Sequence, residues 1–263
     1  MNKIAKSLDE IYSLKGKVAV IIGGGGHICS ALSEGLAIAG ASLLIVDLRI
    51  NKAIEIANKI QNKYKCKAIP TQGNVVDQKS LFDVLDLAIK KYSRVDILIN
   101  GAGINSSKPF LEISLDEWKE VMDSQITGTM LSCQVFGPQM IKQKSGSIIN
   151  ISSASSGPPL SKAFPYSVAK AGIKNLTMNL AREWAMSNVR VNAIRPGFFP
   201  TEWNKKNFID KERETAIMNH TPMKRFGDPA ELIGATIWLA SDSSSFVTGA
   251  EISIDGGFSC MTI

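Results

Sequence analysis

The sequence predicts an α/β fold: one domain, residues 1–263, with a doubly wound, mostly parallel seven-stranded sheet and helices on both faces. Three observations predict it. A strand pattern at 17–22, apolar from Val18 onward, meets Gly23-Gly24-Gly25-Gly26 and then a helical pattern over 27–39, so strand, glycine turn and helix follow in that order. Further short apolar runs alternate with helical stretches along the rest of the chain, which implies βαβ units. The clusters Gly157-Pro158-Pro159 and Pro196-Gly197 follow strands, at the carboxyl edge where such sheets take ligands.

Residues 1–14 form a lead-in, with Leu8, Ile11 and Leu14 at helical spacing over 7–14. The strand at 17–22 is β-branched or small from Val18 onward, as a strand covered on both faces requires. A second strand, 42–46, ends at Asp47. Helix 51–64, strand 66–71, helix 78–92 and strand 95–99 continue the alternation, and a long helix is expected over 115–143. The apolar run Ser147-Ile148-Ile149-Asn150-Ile151 reads as a buried strand, with Ser153 just beyond it. A helix follows Pro165, then a strand at 189–194, a lid-like segment over 201–221, a helix over 229–240 and a last strand at 251–254.

Composition narrows the function classes. Hydrophobic residues make up 44% of the chain and charged residues 21%, enough for a sizeable core. No apolar stretch reaches the roughly 18 residues that span a bilayer, and the N-terminal region has no signal-type apolar run, so a soluble cytoplasmic protein is expected. Cys29, Cys66, Cys133 and Cys260 lie far apart without a C-x-x-C pair, and His27 and His220 are the only histidines. Neither a metal site nor a disulfide framework is indicated. The net charge of +6 is interleaved with acidic residues, which argues against a nucleic-acid partner.

The chemistry concentrates around Pro165-Tyr166-Ser167-Val168-Ala169-Lys170. Four residues apart on a helix, Tyr166 and Lys170 share a face, and a lysine ammonium beside a phenol is expected to lower its pKa and make it a proton donor and acceptor near neutral pH. The glycine turn before the 27–39 helix presents free backbone N–H groups to a pyrophosphate, and Asp47 stands where a carboxylate accepts hydrogen bonds from an adenosine ribose.

Together with Asn100-Gly101-Ala102-Gly103, Asn150-Ile151-Ser152-Ser153, Asn192, Val247-Thr248-Gly249 and Asp255-Gly256-Gly257, these marks resemble the short-chain dehydrogenase/reductase family over nearly the whole chain. The resemblance implies a single-domain Rossmann fold and an oxidoreductase that interconverts a secondary alcohol and a ketone. It implies Tyr166 as acid/base, Lys170 lowering its pKa and holding the nicotinamide ribose, and Ser153 bonding the reacting oxygen. Gly23, Gly26, His27, Ile28, Asp47, Asn74, Val75, Asn100, Gly101, Ala102, Pro196, Gly197, Phe199 and Thr201, with Tyr166 and Lys170, are implied as cofactor contacts. Asp47 would repel a 2′-phosphate, so NAD is expected over NADP, with Arg49 as a counterweight. Relatives form tetramers or dimers, and a homo-oligomer is expected here. The alternative class is a non-catalytic or regulatory dinucleotide-binding protein of the same fold.

Several residues depart from the family pattern. Ile22 replaces a threonine, and His27 and Cys29 replace glycines of the loop; His27 could touch a phosphate or point to solvent. Asn74 replaces an aspartate near the adenine. Gln125 falls where the family's fourth catalytic residue, an asparagine on the central helix, would align. Pro196-Gly197-Phe198-Phe199, His220-Thr221-Pro222-Met223 and Arg225-Phe226-Gly227 are similar to the branch that includes D-mannonate oxidoreductases and gluconate 5-dehydrogenases. A small-molecule substrate that is a sugar, polyol or sugar acid is implied, with Arg195, Trp203 and Lys205 as candidate partners of its carboxylate.

Overall fold

The computed structural model describes residues 7–201 and 209–262. Its strands are β1 (Val18–Ile22), β2 (Ser42–Asp47), β3 (Ala68–Gln72), β4 (Ile97–Asn100), β5 (Gly146–Ile151), β6 (Val189–Pro196) and β7 (Glu251–Ile254). They pair in the order β3-β2-β1-β4-β5-β6-β7, and every pair is parallel where a mostly parallel sheet was expected. The chain direction of winding reverses between β1 and β4, whose register sets Ile22 beside Asn100. Their carboxyl ends therefore diverge into the crevice that such a switch point creates.

The helices are α1 (Leu8–Tyr12), α2 (His27–Ile38), α3 (Ile50–Tyr64), α4 (Gln78–Tyr92), α5 (Leu115–Met122), α6 (Gly128–Gln143), α7 (Phe164–Trp184), α8 (Lys211–His220) and α9 (Ile233–Ala240). The period-2 alternation of β1 assigns them to faces. Ala19 and Ile21 pack with Leu32 and Leu36 of α2, Ala57 and Ile60 of α3 and Leu239 of α9. Val20 and Ile22 point the other way, into Leu81 and Val84 of α4, Phe136 and Met140 of α6 and Ala181 of α7. Both faces are covered, which is why the strands read as unbroken apolar runs.

Three expectations change. The long helix over 115–143 is interrupted by a π-turn at Asp123–Thr127. Its widened backbone leaves a carbonyl to satisfy, and the Thr129 hydroxyl donates to Gln125 O at 2.7 Å. The segment 229–240 begins as a 3₁₀ turn, Pro229–Leu232, capped by Asp228, before α9 starts. In the lead-in, Leu14 is fully buried while Leu8 is exposed, so the helix itself contributes little to the core. Of the lid-like segment 201–221, α8 is described; Trp203 and Lys205 lie outside the described residues. Among the described residues no helix is long and apolar enough to cross a membrane.

Phe136 is fully buried at the centre of the α4–α6–α7 face. Phe136→Ala is expected to lower unfolding free energy by about 3–5 kcal/mol in urea denaturation, and a cost below about 1 kcal/mol would show that this face is loosely packed.

Candidate active site

The glycine loop after β1 is shaped by what lies against it. Gly23 has φ +78°, and a Cβ there would stand 2.8 Å from the backbone nitrogen of Ala102, so the loops after β1 and β4 touch main chain to main chain. Gly26 is the N-cap of α2 and supplies no side-chain cap, so the first-turn N–H groups of a twelve-residue helix face the crevice. Asp47, buried at the end of β2, accepts from Gly25 N at 3.1 Å and from Arg49 N at 2.9 Å, with the Arg49 Nε 3.6 Å away. His27 is exposed at the first position of α2, and Ile28 lines the neighbouring cavity. Backbone donors, a dipole end and a carboxylate at the second strand fit the pyrophosphate and ribose of a dinucleotide.

Cys29 explains its own departure. A Cβ on residue 101 would overlap the Cys29 sulfur, so the thiol occupies the space that a side chain on Gly101 would need. Burial pushes that thiol up to about 12, with Lys170 nearby working in the opposite direction, and it stays protonated at neutral pH. Asn100 differs from its expected placement on the groove wall. Its amide turns inward, donating to Asn150 Oδ1 at 2.9 Å, and Asn150 donates to Thr177 Oγ1 at 2.9 Å. This buried chain ties β4 and β5 to α7. Val75, in the loop after β3, packs on Gly128 of α6, where a Cβ would come within 2.7 Å of its Cγ2. Asn74 accepts from Val76 N and thereby closes that same loop.

Ser153, Tyr166 and Lys170 come together at the carboxyl end of β5. Lys170 is 4% exposed, donates to Ile151 O at 2.5 Å and sits 5.3 Å from the centroid of the Tyr166 ring. Burial brings its ammonium down to about 8. Tyr166 goes the opposite way from the expectation based on its lysine neighbour: enclosure of the ring pushes the phenol above its ordinary value, and a hydrogen bond from Ser153 opposes that. The reason is desolvation, which disfavours a phenolate just as it disfavours an ammonium. Ser153 Oγ accepts from Ser155 N at 3.2 Å and from Ser155 Oγ at 3.1 Å, so its own proton is left to donate on the outward side, where Tyr166 stands.

The π-turn directs Gln125 into the interior behind this cluster. Its Nε2 donates to Ile104 O at 2.8 Å, while Oε1 is buried without a partner. An unpaired buried acceptor costs roughly 1–3 kcal/mol, so the Nε2 bond and the surrounding packing hold the amide in this orientation. Gly103 must lack a side chain because the Gln125 amide fills that position.

Arg195 is not where a substrate carboxylate would need it. Its guanidinium is committed to Glu251, with Nη1 3.6 Å from Oε2, and to Ala154 O at 3.1 Å. Glu251 Oε1 also accepts from Ser152 at 2.6 Å and Ser156 at 2.8 Å, the residues that bracket the Ser153 turn. Sequence reading missed this acid because its partners lie on other elements. It also missed Lys162 and Arg213, which line the cavity of about 570 Å³ that opens over Ser153 and Tyr166. For Lys162 a signal was present: any cation between Ser153 and Tyr166 lies on the loop that must pass the substrate. Gly197 and Phe199 line the same cavity, while Pro196 ends β6 behind them and Thr201 follows, partly buried.

Comparison with known proteins follows the same geometry. A family profile described as enoyl-(acyl carrier protein) reductase matches residues 26–259. The chain is 38% identical over 267 residues to the uncharacterized oxidoreductase UxuB of Bacillus subtilis, covering 94% of this chain and 96% of that one. Among solved structures, it superposes on a gluconate 5-dehydrogenase from Burkholderia cenocepacia in complex with NADP and tartrate, with TM-score 0.92, 30% identity and coverage of 97% and 100% of the two chains. A putative D-mannonate oxidoreductase from Haemophilus influenza with bound NAD superposes with TM-score 0.90 and 33% identity, covering 95% and 97%.

Steric complementarity between Cys29 and Gly101 has a measurable consequence. Gly101→Ala is expected to cost about 1–3 kcal/mol of stability, and adding Cys29→Gly should return most of it. Simple additivity of the two changes would show that the sulfur is not what excludes the side chain.

Proposed function

The chain belongs to the short-chain dehydrogenase/reductase family and is an enzyme acting on CH–OH donors; on that premise we propose that it interconverts a secondary alcohol and a ketone on a sugar acid, using NAD(H). The observation that carries this reading is the convergence of Ser153 and Tyr166 at the floor of the cavity, with the Lys170 ammonium buried 5.3 Å from the Tyr166 ring centroid. When bound, the dinucleotide supplies or accepts the hydride. The protein's residues handle the oxygen and its proton. In the reducing direction, Tyr166, held protonated by its enclosure, gives its proton to the nascent alkoxide, and the outward Ser153 hydroxyl stabilises charge on the same oxygen. Lys170 keeps a positive charge beneath the phenol and favours its transient anion. Gln125 stands behind this group, its amide held by the Nε2 bond to Ile104 O.

Asp47 supports NAD, since its carboxylate would meet a 2′-phosphate, although Arg49 lies beside it. The two superposed structures carry NADP in one case and NAD in the other. A sugar acid is favoured by the gluconate and mannonate names of those relatives and by the cationic residues of the cavity. The same reading includes self-association through the face where Phe110, Leu115, Phe164 and Val168 stand exposed. The non-catalytic alternative has no support from relatives that are themselves oxidoreductases.

Purified enzyme should oxidise D-gluconate or D-mannonate with NAD in preference to NADP, and bind NADH more tightly than NADPH in a fluorescence titration. Tyr166→Phe should lower kcat by about 10³-fold while leaving NADH affinity intact. Tighter NADPH binding would overturn the cofactor assignment, and an active Tyr166→Phe enzyme would overturn the acid/base role.

A further inference from the structure

Among its described lining residues the cavity over Ser153 and Tyr166 carries charge of one sign: Lys162 and Arg213 are cationic, and none of those residues is a carboxylate. These two residues come from separate segments, the loop that precedes α7 and the first turn of α8. Their placement is built rather than incidental. Arg213 is held through Nη1 to Ser161 Oγ at 2.9 Å and through Nη2 to Ser161 O at 3.0 Å, which fixes the guanidinium plane and uses two of its five N–H donors. Lys162 has φ 58°, a left-handed conformation that residues with a side chain seldom adopt and that clusters at ligand sites. Asn105, also on the cavity wall, donates to Lys162 O at 3.5 Å. The nearest acid to Lys162 is Asp210, at 3.9 Å, outside hydrogen-bond reach and solvent-exposed, so the ammonium keeps its donors.

Resting on the sugar-acid reading above, we propose that Lys162 and Arg213 form a carboxylate subsite that holds the acid end of a polyhydroxy acid while Ser153 and Tyr166 engage a hydroxyl-bearing carbon further along its chain. A planar guanidinium with free donors suits a carboxylate, and the ammonium adds a second charge. Because the two cations sit on the loop and on α8, a carboxylate shared between them also fastens the described part of the lid to the cavity rim. Arg195, the cation that sequence reading favoured for this task, is already neutralised by Glu251.

The test is calorimetric titration of the NADH-loaded enzyme with D-gluconate and with D-glucitol, which differ in carrying a carboxylate or a hydroxymethyl group at one end. Wild type should bind gluconate at least tenfold more tightly than glucitol. Lys162→Met, which leaves the Arg213–Ser161 contact in place, and the double variant with Arg213→Gln should each lose at least half of that preference on a logarithmic scale. Glucitol and NADH affinities should not move, and Arg213→Lys should keep part of the preference. Lack of discrimination in wild type, its survival in the double variant, or an equal loss for both ligands would each overturn the subsite. Discrimination in a wild-type enzyme that oxidises no sugar acid would keep the subsite and remove the reaction proposed above; oxidation without discrimination would do the reverse.

Discussion

The contact on which the site depends is the hydrogen bond from the Lys170 ammonium to the carbonyl of Ile151. A charged amine buried to 4% exposure is costly, and it persists where surrounding packing leaves no alternative and a full acceptor receives it. Here the acceptor is the last residue of β5, so this bond joins the Asn150–Thr177 bond in holding α7 to the carboxyl edge of the sheet. The consequences are geometric. Ser153 lies two residues beyond Ile151 on one segment, and Tyr166 lies one turn before Lys170 on the other. The Lys170–Ile151 bond is the polar contact between these two segments that lies nearest the hydroxyls in sequence. The same burial separates the two titrations, drawing the amine down to about 8 and holding the phenol above its ordinary value.

Around this contact the structure adds rigid support from distant strands. Glu251 on β7 takes hydrogen bonds from Ser152 and Ser156 and faces Arg195 on β6, while Lys174 of α7 approaches its other oxygen at 3.6 Å. Removing one partner of such a network leaves an uncompensated charge beside the Ser153 turn, so its value is positional more than energetic. Ser155 completes the arrangement by occupying the acceptor positions of Ser153. The Ser153 hydroxyl is thereby oriented from below.

Much of this was legible in the chain. Parallel strands covered on both faces must be apolar throughout, so β1, β2 and β5 announce themselves, and the boundaries of helix Gln78–Tyr92 and strand Glu251–Ile254 emerge as expected. Tyr166 and Lys170 were legible because helical spacing alone puts them on one face. Other features depend on contacts that sequence spacing does not encode. The π-turn that aims Gln125 inward arises where packing, not periodicity, decides the hydrogen bonds. Arg195 reads as a free cation until the pairing of β6 with β7 brings Glu251 beside it. The fit of Cys29 against Gly101 joins two loops, each of which looks irregular alone. The direction of the Tyr166 shift was misjudged because a neighbouring charge is visible in the sequence and desolvation is not.

The most direct measurement is an NMR titration of the Lys170 side chain, assigned by comparison with Lys170→Met, in the ligand-free protein. The buried contact predicts a midpoint near 8, below the ordinary 10.5. Since the unfolded chain then binds the extra proton between those values, the penalty for burying the amine is greatest below pH 8 and is relieved as pH rises through that window. Wild-type stability relative to Lys170→Met should accordingly rise between about pH 8 and 10.5, by an amount approaching about 3 kcal/mol. A midpoint that stays near 10.5, with a stability difference independent of pH, would show that the ammonium is solvated and that the Ile151 contact does not organise the site.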